Sequence, residues 1–260
     1  MRSLLIKNKI SFELIKNKYY RHYNKYRSKV EEKNELLTEL DENGIVCINN
    51  FLDTDTIKKI NNEISDDEAS LVHNKYTGKQ PIWRFEDFGV YRLLNIDEVS
   101  KTSKIFFEHP TILDIANSYV GKNAKSYQRM FETKAIPGRE SSADTLHFDD
   151  WKHRFKAFLY LNDVSLKEAP FVYLKKSHHP GPWKKIKEYE YFKYGKKGTY
   201  GHYTPYEVLR IKEEYGFKET IYTAKAGTLI LVDTRGLHKG SVLLANKRNI
   251  LANYFETGYE

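Results

Sequence analysis

His147 and Asp149 stand two residues apart in Thr145-Leu-His-Phe-Asp149, a run that reads as a strand. On a strand such residues project to one face, so an imidazole and a carboxylate point at one spot and can share a metal ion. With nine His in the chain, one such pair alone proves little. A third ligand is offered by His238, which ends the run Gly227-Thr-Leu-Ile-Leu-Val-Asp-Thr-Arg-Gly-Leu-His. Two histidines and one carboxylate make the facial triad of non-heme Fe(II) oxygenases, which leaves half of the coordination sphere open. Arg248 opens a further strand-like run, and a hairpin through 241–247 would return its guanidinium to the metal. There a planar, bidentate cation would clamp the far end of a dicarboxylate co-substrate better than a lysine point charge.

The elements that must carry these residues change character along the chain. Residues 31–42 read as a helix, Gly44-Ile-Val-Cys-Ile as a short buried strand, and Asp53-Thr-Asp-Thr as the cap of a helix running to about Ile64. Residues 65–87 are polar and read as an irregular loop before a strand at Val90–Leu94; a helix starts at Pro110 and stops at Gly121. From Lys125 onward strands are predicted at 127–136, 145–149, 155–161, 171–174, 220–224, 228–232 and 248–255. Short strands punctuated by Gly, Pro and Asn point to a sandwich or jelly-roll barrel. An insertion over about 181–216, rich in Tyr and Lys and part helical after Thr204-Pro205, is too long for a hairpin loop and has the length of a functional lid.

Composition narrows the chemistry. The 260 residues suit one domain with appendages, and the single Cys47 forms no internal disulfide and no thiolate metal site. Any metal therefore rests on His and carboxylate. No apolar run is long enough to span a membrane, and lysines interrupt the first apolar stretch before a signal core forms, so a cytoplasmic location is expected. Of the net charge of +8, residues 1–30 contribute nine Lys/Arg against Glu13, which leaves the rest of the chain neutral. In this arm Leu5, Phe12, Ile15, Tyr19, Tyr23 and Tyr26 recur at helical spacing. It reads either as a helix docked on the domain or as a peripheral contact for an anionic surface. A neutral body argues against nucleic acid as the partner.

In order and spacing the chain resembles the phytanoyl-CoA dioxygenase-like branch of the Fe(II)/2-oxoglutarate oxygenases, over roughly residues 35–256. The residues that carry the resemblance are Gly44-Ile-Val-Cys-Ile-Asn-Asn-Phe-Leu, His147-Phe-Asp149, Phe158-Leu-Tyr-Leu-Asn-Asp-Val, Ala169-Pro-Phe-Val-Tyr-Leu-Lys-Lys-Ser-His and Ala226-Gly-Thr-Leu, followed by Asp233, His238 and Arg248. The resemblance implies a mainly β fold with flanking α, a double-stranded β-helix (jelly roll, cupin-like) with N-terminal helices. It implies iron on His147, Asp149 and His238, 2-oxoglutarate on Arg248, and further contacts from Gln128 and Lys134. It also implies O2 as oxidant, decarboxylation of 2-oxoglutarate to succinate and CO2, and hydroxylation of a C–H bond. Related halogenases lack the carboxylate ligand, so Asp149 points to hydroxylation or a related oxidation.

Two departures stand out. Relatives have Gly-Pro and then Pro-Gly-Ser-His where this chain has Ala169-Pro170 and Lys175-Lys176-Ser177-His178, so that turn is expected to be built differently. The hydroxyl residue often found two after the distal histidine is Gly240 here, with Ser241 one later as the alternative co-substrate contact.

Six Lys against two Glu over 183–197, with Trp183, Tyr189, Tyr191, Tyr194 and His202, would suit an anionic group on the substrate or equally a solvated face over a tyrosine layer. His153, His178 and His179 are expected as exposed loop histidines, Trp151 as a wall of the mouth or a core residue, and Asp233 as structural. Tyr160 and Asn162 face either the pocket or the opposite sheet. The competing reading from another class is a non-catalytic β-barrel binding module recruited to an anionic surface by its basic arm.

Overall fold

The computed structural model describes residues 34–77, 82–86, 89–121, 124–149, 154–179, 181–185, 187 and 201–256. The basic arm 1–30, Trp151, His153 and the insertion's Tyr189, Tyr191 and Tyr194 lie outside the described residues. No helix among those described is long and apolar enough to cross a membrane.

Helix α1 (Glu35–Asn43) begins at Asn34, whose side chain accepts from the Leu36 and Leu37 amides, and ends at Gly44 with φ +78°. That glycine is required twice over: the conformation is left-handed, and a Cβ would lie 2.3 Å from the Tyr173 hydroxyl. Strand β1 (Ile45–Ile48) leads to α2 (Thr54–Thr77), capped by Asp53 through the Thr56 amide at 2.8 Å. The expected loop over 65–87 is corrected here. The helix continues to Thr77, because Glu68, Ala69 and Leu71 are good helix formers, and strand β2 (Ile82–Glu86) follows. Strand β3 (Val90–Leu94), a short helix α3 (Lys104–Phe107) and α4 (Pro110–Val120) complete the N-terminal half. On α4 the buried Ile112, Ile115, Ala116, Tyr119 and Val120 form one apolar stripe.

The second half supplies β4 (Lys125–Lys134), β5 (Arg154–Tyr160), β6 (Phe171–Leu174), α5 (Pro205–Tyr215), β7 (Glu219–Tyr222), β8 (Leu229–Asp233), β9 (His238–Lys239) and β10 (Arg248–Glu256). Seven strands make one sheet in the order β1-β8-β5-β10-β4-β3-β2, and three make a second in the order β7-β6-β9. Every pairing among the described strands is antiparallel.

Strand alternation divides the large sheet cleanly. Phe155, Ala157, Leu159, Leu229, Leu231, Leu251 and Phe255 pack with the helices in one cluster. The intervening Tyr160, Ile230, Val232, Ile250 and Ala252 meet Phe171, Tyr173 and Tyr222 of the small sheet in another. Helices thus cover one face, and the other closes onto the small sheet, as the expected double-stranded β-helix requires. A third cluster lies beyond the small sheet, where Phe148, Leu174, Leu237 and the insertion's Trp183, Tyr203 and Ile211 pack together. The expected strand over 145–149 is corrected to a single bridge residue, His147, which pairs with both His202 and His238.

A candidate metal centre between the sheets

The open end of the barrel brings three donors together. One ligand atom each from His147, Asp149 and His238 lies within 4.8 Å of the others. Backbone bonds hold the two histidine segments side by side, His147 N–H to His238 O at 2.9 Å and His238 N–H to His147 O at 2.8 Å. Each ring is also fixed in one tautomer. His147 Nδ1 donates to the Thr145 carbonyl at 2.7 Å and His238 Nδ1 to the Gly236 carbonyl at 2.9 Å, since a carbonyl can only accept. Both Nε2 atoms are thereby left as lone-pair donors, 3.7 and 3.5 Å from Asp149 Oδ1. Burial, reinforced by the neighbouring His238, pushes His147 down to about 3, so it is neutral at physiological pH and ready to ligate.

The other Asp149 oxygen is engaged by a residue that the sequence reading passed over. Lys156 Nζ stands 2.6 Å from Asp149 Oδ2, in an ion pair that lies off the hydrogen-bonding direction, and 3.9 Å from the centre of the Tyr254 ring. Burial works against the carboxylate, but this ammonium overrides it and holds Asp149 well below the usual carboxylate range.

A cavity of about 120 Å3 joins the triad to Arg248, and its wall includes Phe158, Tyr160, Phe171, Ile230 and Ile250. That volume suits a small molecule. Arg248 Nη2 pairs with Glu132 at 2.7 Å and Nη1 donates to the Ala169 carbonyl at 2.9 Å, while its buried Nε has no acceptor. Glu132 also takes Arg92 Nε at 2.7 Å; burial raises its carboxyl, yet the two guanidiniums bring it from 4.5 to about 2. Lys134 reaches the cavity, where Nζ lies 2.6 Å from each Asp144 oxygen and 2.9 Å from the Ser241 carbonyl. Ser241 is outside the lining, with its hydroxyl donated to the Pro170 carbonyl at 2.9 Å. Gln128 shares the face of Lys134 but sits at the Tyr254 end of β4, also outside the lining.

Gly240 has a local reason. A Cβ there would lie 2.9 Å from Asp144 Oδ1, so the Lys134–Asp144 pair occupies the space that a side chain would need. In the two segments where the motif departs, Ala169 has φ +55° and Lys176 φ +71°, left-handed conformations that favour glycine.

His178 is corrected from exposed to buried. Its turn tucks beneath α1, with the Lys176 amide on the Asn43 carbonyl at 3.0 Å and His178 Nε2 donating to the Asp41 carbonyl at 3.0 Å. His179 is half-buried beside it. Asp233 is structural as expected, gripping Arg235 and accepting from the Tyr119 hydroxyl at 2.7 Å. Tyr160 lines the cavity, whereas Asn162 turns to the start of β10 and accepts from the Asn249 amide at 2.7 Å. His202 stacks on His147 with ring centroids 4.9 Å apart. Its neighbour Gly201 must be glycine, because a Cβ would lie 2.1 Å from the Phe148 carbonyl oxygen.

Three comparisons bear on this arrangement. Residues 40–245 match the family described as phytanoyl-CoA dioxygenase (PhyH). No curated protein matches the chain. Among solved structures, HygX from Streptomyces hygroscopicus with nickel and 2-oxoglutarate bound superposes with a TM-score of 0.57 at 14% identity, covering 87% of this chain and 87% of that one. SnoK, a non-heme alpha ketoglutarate dependent carbocyclase from nogalamycin biosynthesis, gives 0.57 at 15% identity over 85% and 83%. SnoN, an epimerase from the same biosynthesis, gives 0.55 at 15% over 85% and 82%. At these identities the likeness carries the fold.

Proposed function

The chain belongs to the phytanoyl-CoA dioxygenase family, and on that premise we propose that it is an Fe(II)- and 2-oxoglutarate-dependent dioxygenase that hydroxylates a C–H bond of a small molecule, releasing succinate and CO2. The observation that carries this reading is a pair of imidazoles fixed with Nε2 toward one carboxylate oxygen, in the same cavity as a buried arginine whose Nε lacks an acceptor. The donor set of two imidazoles and a carboxylate fits Fe(II), and the orphaned Arg248 Nε–H fits a carboxylate.

His147, Asp149 and His238 would hold the iron, and Arg248 the far carboxylate of 2-oxoglutarate. When bound, iron and co-substrate supply the oxidising power for C–H cleavage. The protein's share is position and dryness. The Thr145 and Gly236 carbonyls keep both imidazoles in the ligating tautomer, and Glu132 and the Ala169 carbonyl hold Arg248 in one orientation. Phe158, Phe171, Ile230 and Ile250 line the approach and exclude water.

The test is anaerobic. Adding Fe(II) and then 2-oxoglutarate to wild type is expected to produce a visible metal-to-ligand charge-transfer band, absent in His147→Ala and Asp149→Ala. No band in wild type sinks the reading and leaves a non-catalytic module; a band surviving either substitution sinks the ligand assignment. Hydroxylation is separated from epimerisation, ring closure and halogenation by 18O2, whose label must enter the product.

A further inference from the structure

Lys156 lies on β5, between β8 and β10, with Val232 and Tyr254 as its neighbours in register. Its same-face companions Phe158 and Tyr160 point into the cavity, and Lys156 does the same; it is 8% exposed. A lysine so placed needs a counter-charge.

The charges around the cavity nearly balance. Its described lining holds four cations, Arg92, Lys134, Lys156 and Arg248, and three carboxylates, Glu132, Asp144 and Asp149. Lys134 pairs with Asp144, Arg92 and Arg248 share Glu132, and Lys156 has Asp149. On the proposed reading a divalent metal takes Asp149, one carboxylate of 2-oxoglutarate completes the neutralisation of the metal, and the other offsets Arg248. Glu132 then answers Arg92. Lys156 is the charge left over, because its only carboxylate among the described residues now serves the metal, and the Tyr254 ring face offsets just a fraction of an ammonium.

Resting on that reading, we infer that Lys156 anchors the substrate through a salt bridge to a carboxylate, so that the substrate is a carboxylic acid. The seat is close to the reacting centre: Nζ is 2.6 Å from one oxygen of the carboxylate whose other oxygen faces both Nε2 atoms. An acid held there presents carbons only a few bonds from its carboxylate to the metal, which confines oxidation to that end of the molecule.

Acetate is the probe, with acetamide as its uncharged counterpart, and Mn(II) replaces Fe(II) because its unpaired electrons relax nearby protons. Full-length wild type, Lys156→Met and Lys156→Arg are loaded with Mn(II) and 2-oxoglutarate, and the relaxation of the probe methyl protons is titrated by NMR. Each variant is also tested for the anaerobic Fe(II) charge-transfer band. The expected result is the band in all three proteins, saturable relaxation of acetate in wild type and K156R, and affinity lower by about tenfold or more in K156M, the share of one charge-assisted hydrogen bond. A wild type without the band brings down the functional reading, and this inference with it. A band with no saturable acetate effect, or with equal effects in K156M, overturns the inference alone. So does loss of the band in K156M with retention in K156R, which would make Lys156 a support for Asp149. The wild-type comparison decides even if K156M fails to fold, since acetamide matching acetate also overturns it.

Discussion

Replacing Glu132 by glutamine removes the carboxylate that Arg92 and Arg248 share inside the barrel. Both contacts are 2.7 Å, and the Glu132 side chain is 8% exposed, so solvent screening discounts the interaction little. Burial alone would raise this carboxyl; the two guanidiniums bring it from 4.5 to about 2 in the folded protein. That depression corresponds to about 3 kcal/mol of stability carried by the ionised form. The contribution is whole above pH 4.5, where the carboxyl is ionised folded or unfolded, and it is lost as pH falls through the folded value near 2. Within that window the unfolded chain takes up a proton that the native protein refuses. Urea denaturation of wild type and Glu132→Gln should therefore differ by about 3 kcal/mol near neutrality and by only about 1 kcal/mol near pH 3. A neutral-pH difference below about 1 kcal/mol, or one that does not shrink on acidification, would refute the charge-pair account. The variant would then differ from wild type only by shape and hydrogen bonding.

Two further outcomes test the architecture. Lys176→Gly should stabilise the protein by about 0.5–1 kcal/mol in urea unfolding, because relief of a left-handed lysine outweighs the added freedom of the unfolded chain. Tyr119→Phe should cost about 1.5–3 kcal/mol by the same measurement, since it takes a 2.7 Å hydrogen bond from the buried Asp233 carboxylate.

The parts of the site legible in the sequence were those fixed by covalent spacing. His147 and Asp149 converge because an extended chain repeats every two residues, and that held although the segment is a lone bridge rather than a strand. Strand β8 was legible for a related reason: its continuous apolar run Leu229-Ile-Leu-Val232 signals burial on both faces. What escaped was pairing between distant segments. Lys156 and Glu132 look like ordinary solvent-facing charges until β5 and β4 are set on either side of β10, which turns both inward. Parity offered a clue, since Lys156 is in step with Phe158 and Tyr160, and Glu132 with Lys134. His178 was misread because nothing in its neighbourhood announces that α1 will lie across the turn. The helix over 65–77 was missed because a polar run was read as loop, although Glu68, Ala69 and Leu71 favour helix.

The roots of the insertion carry a consequence of their own. Trp183 at its entry and Tyr203 at its exit pack with ring centroids 5.7 Å apart, and the Phe148 and Tyr203 amides bond to the Gly201 and Leu146 carbonyls at 3.0 Å each. The two ends of the insertion are thus stitched together beside a metal ligand, and what runs between them closes a loop whose span is already set. Lengthening or exchanging such a loop costs only closure entropy, about 0.6 kcal/mol for each doubling. The segment between these roots can therefore be exchanged without rebuilding the end of the barrel that carries His147, which makes it the natural place to graft a new substrate preference.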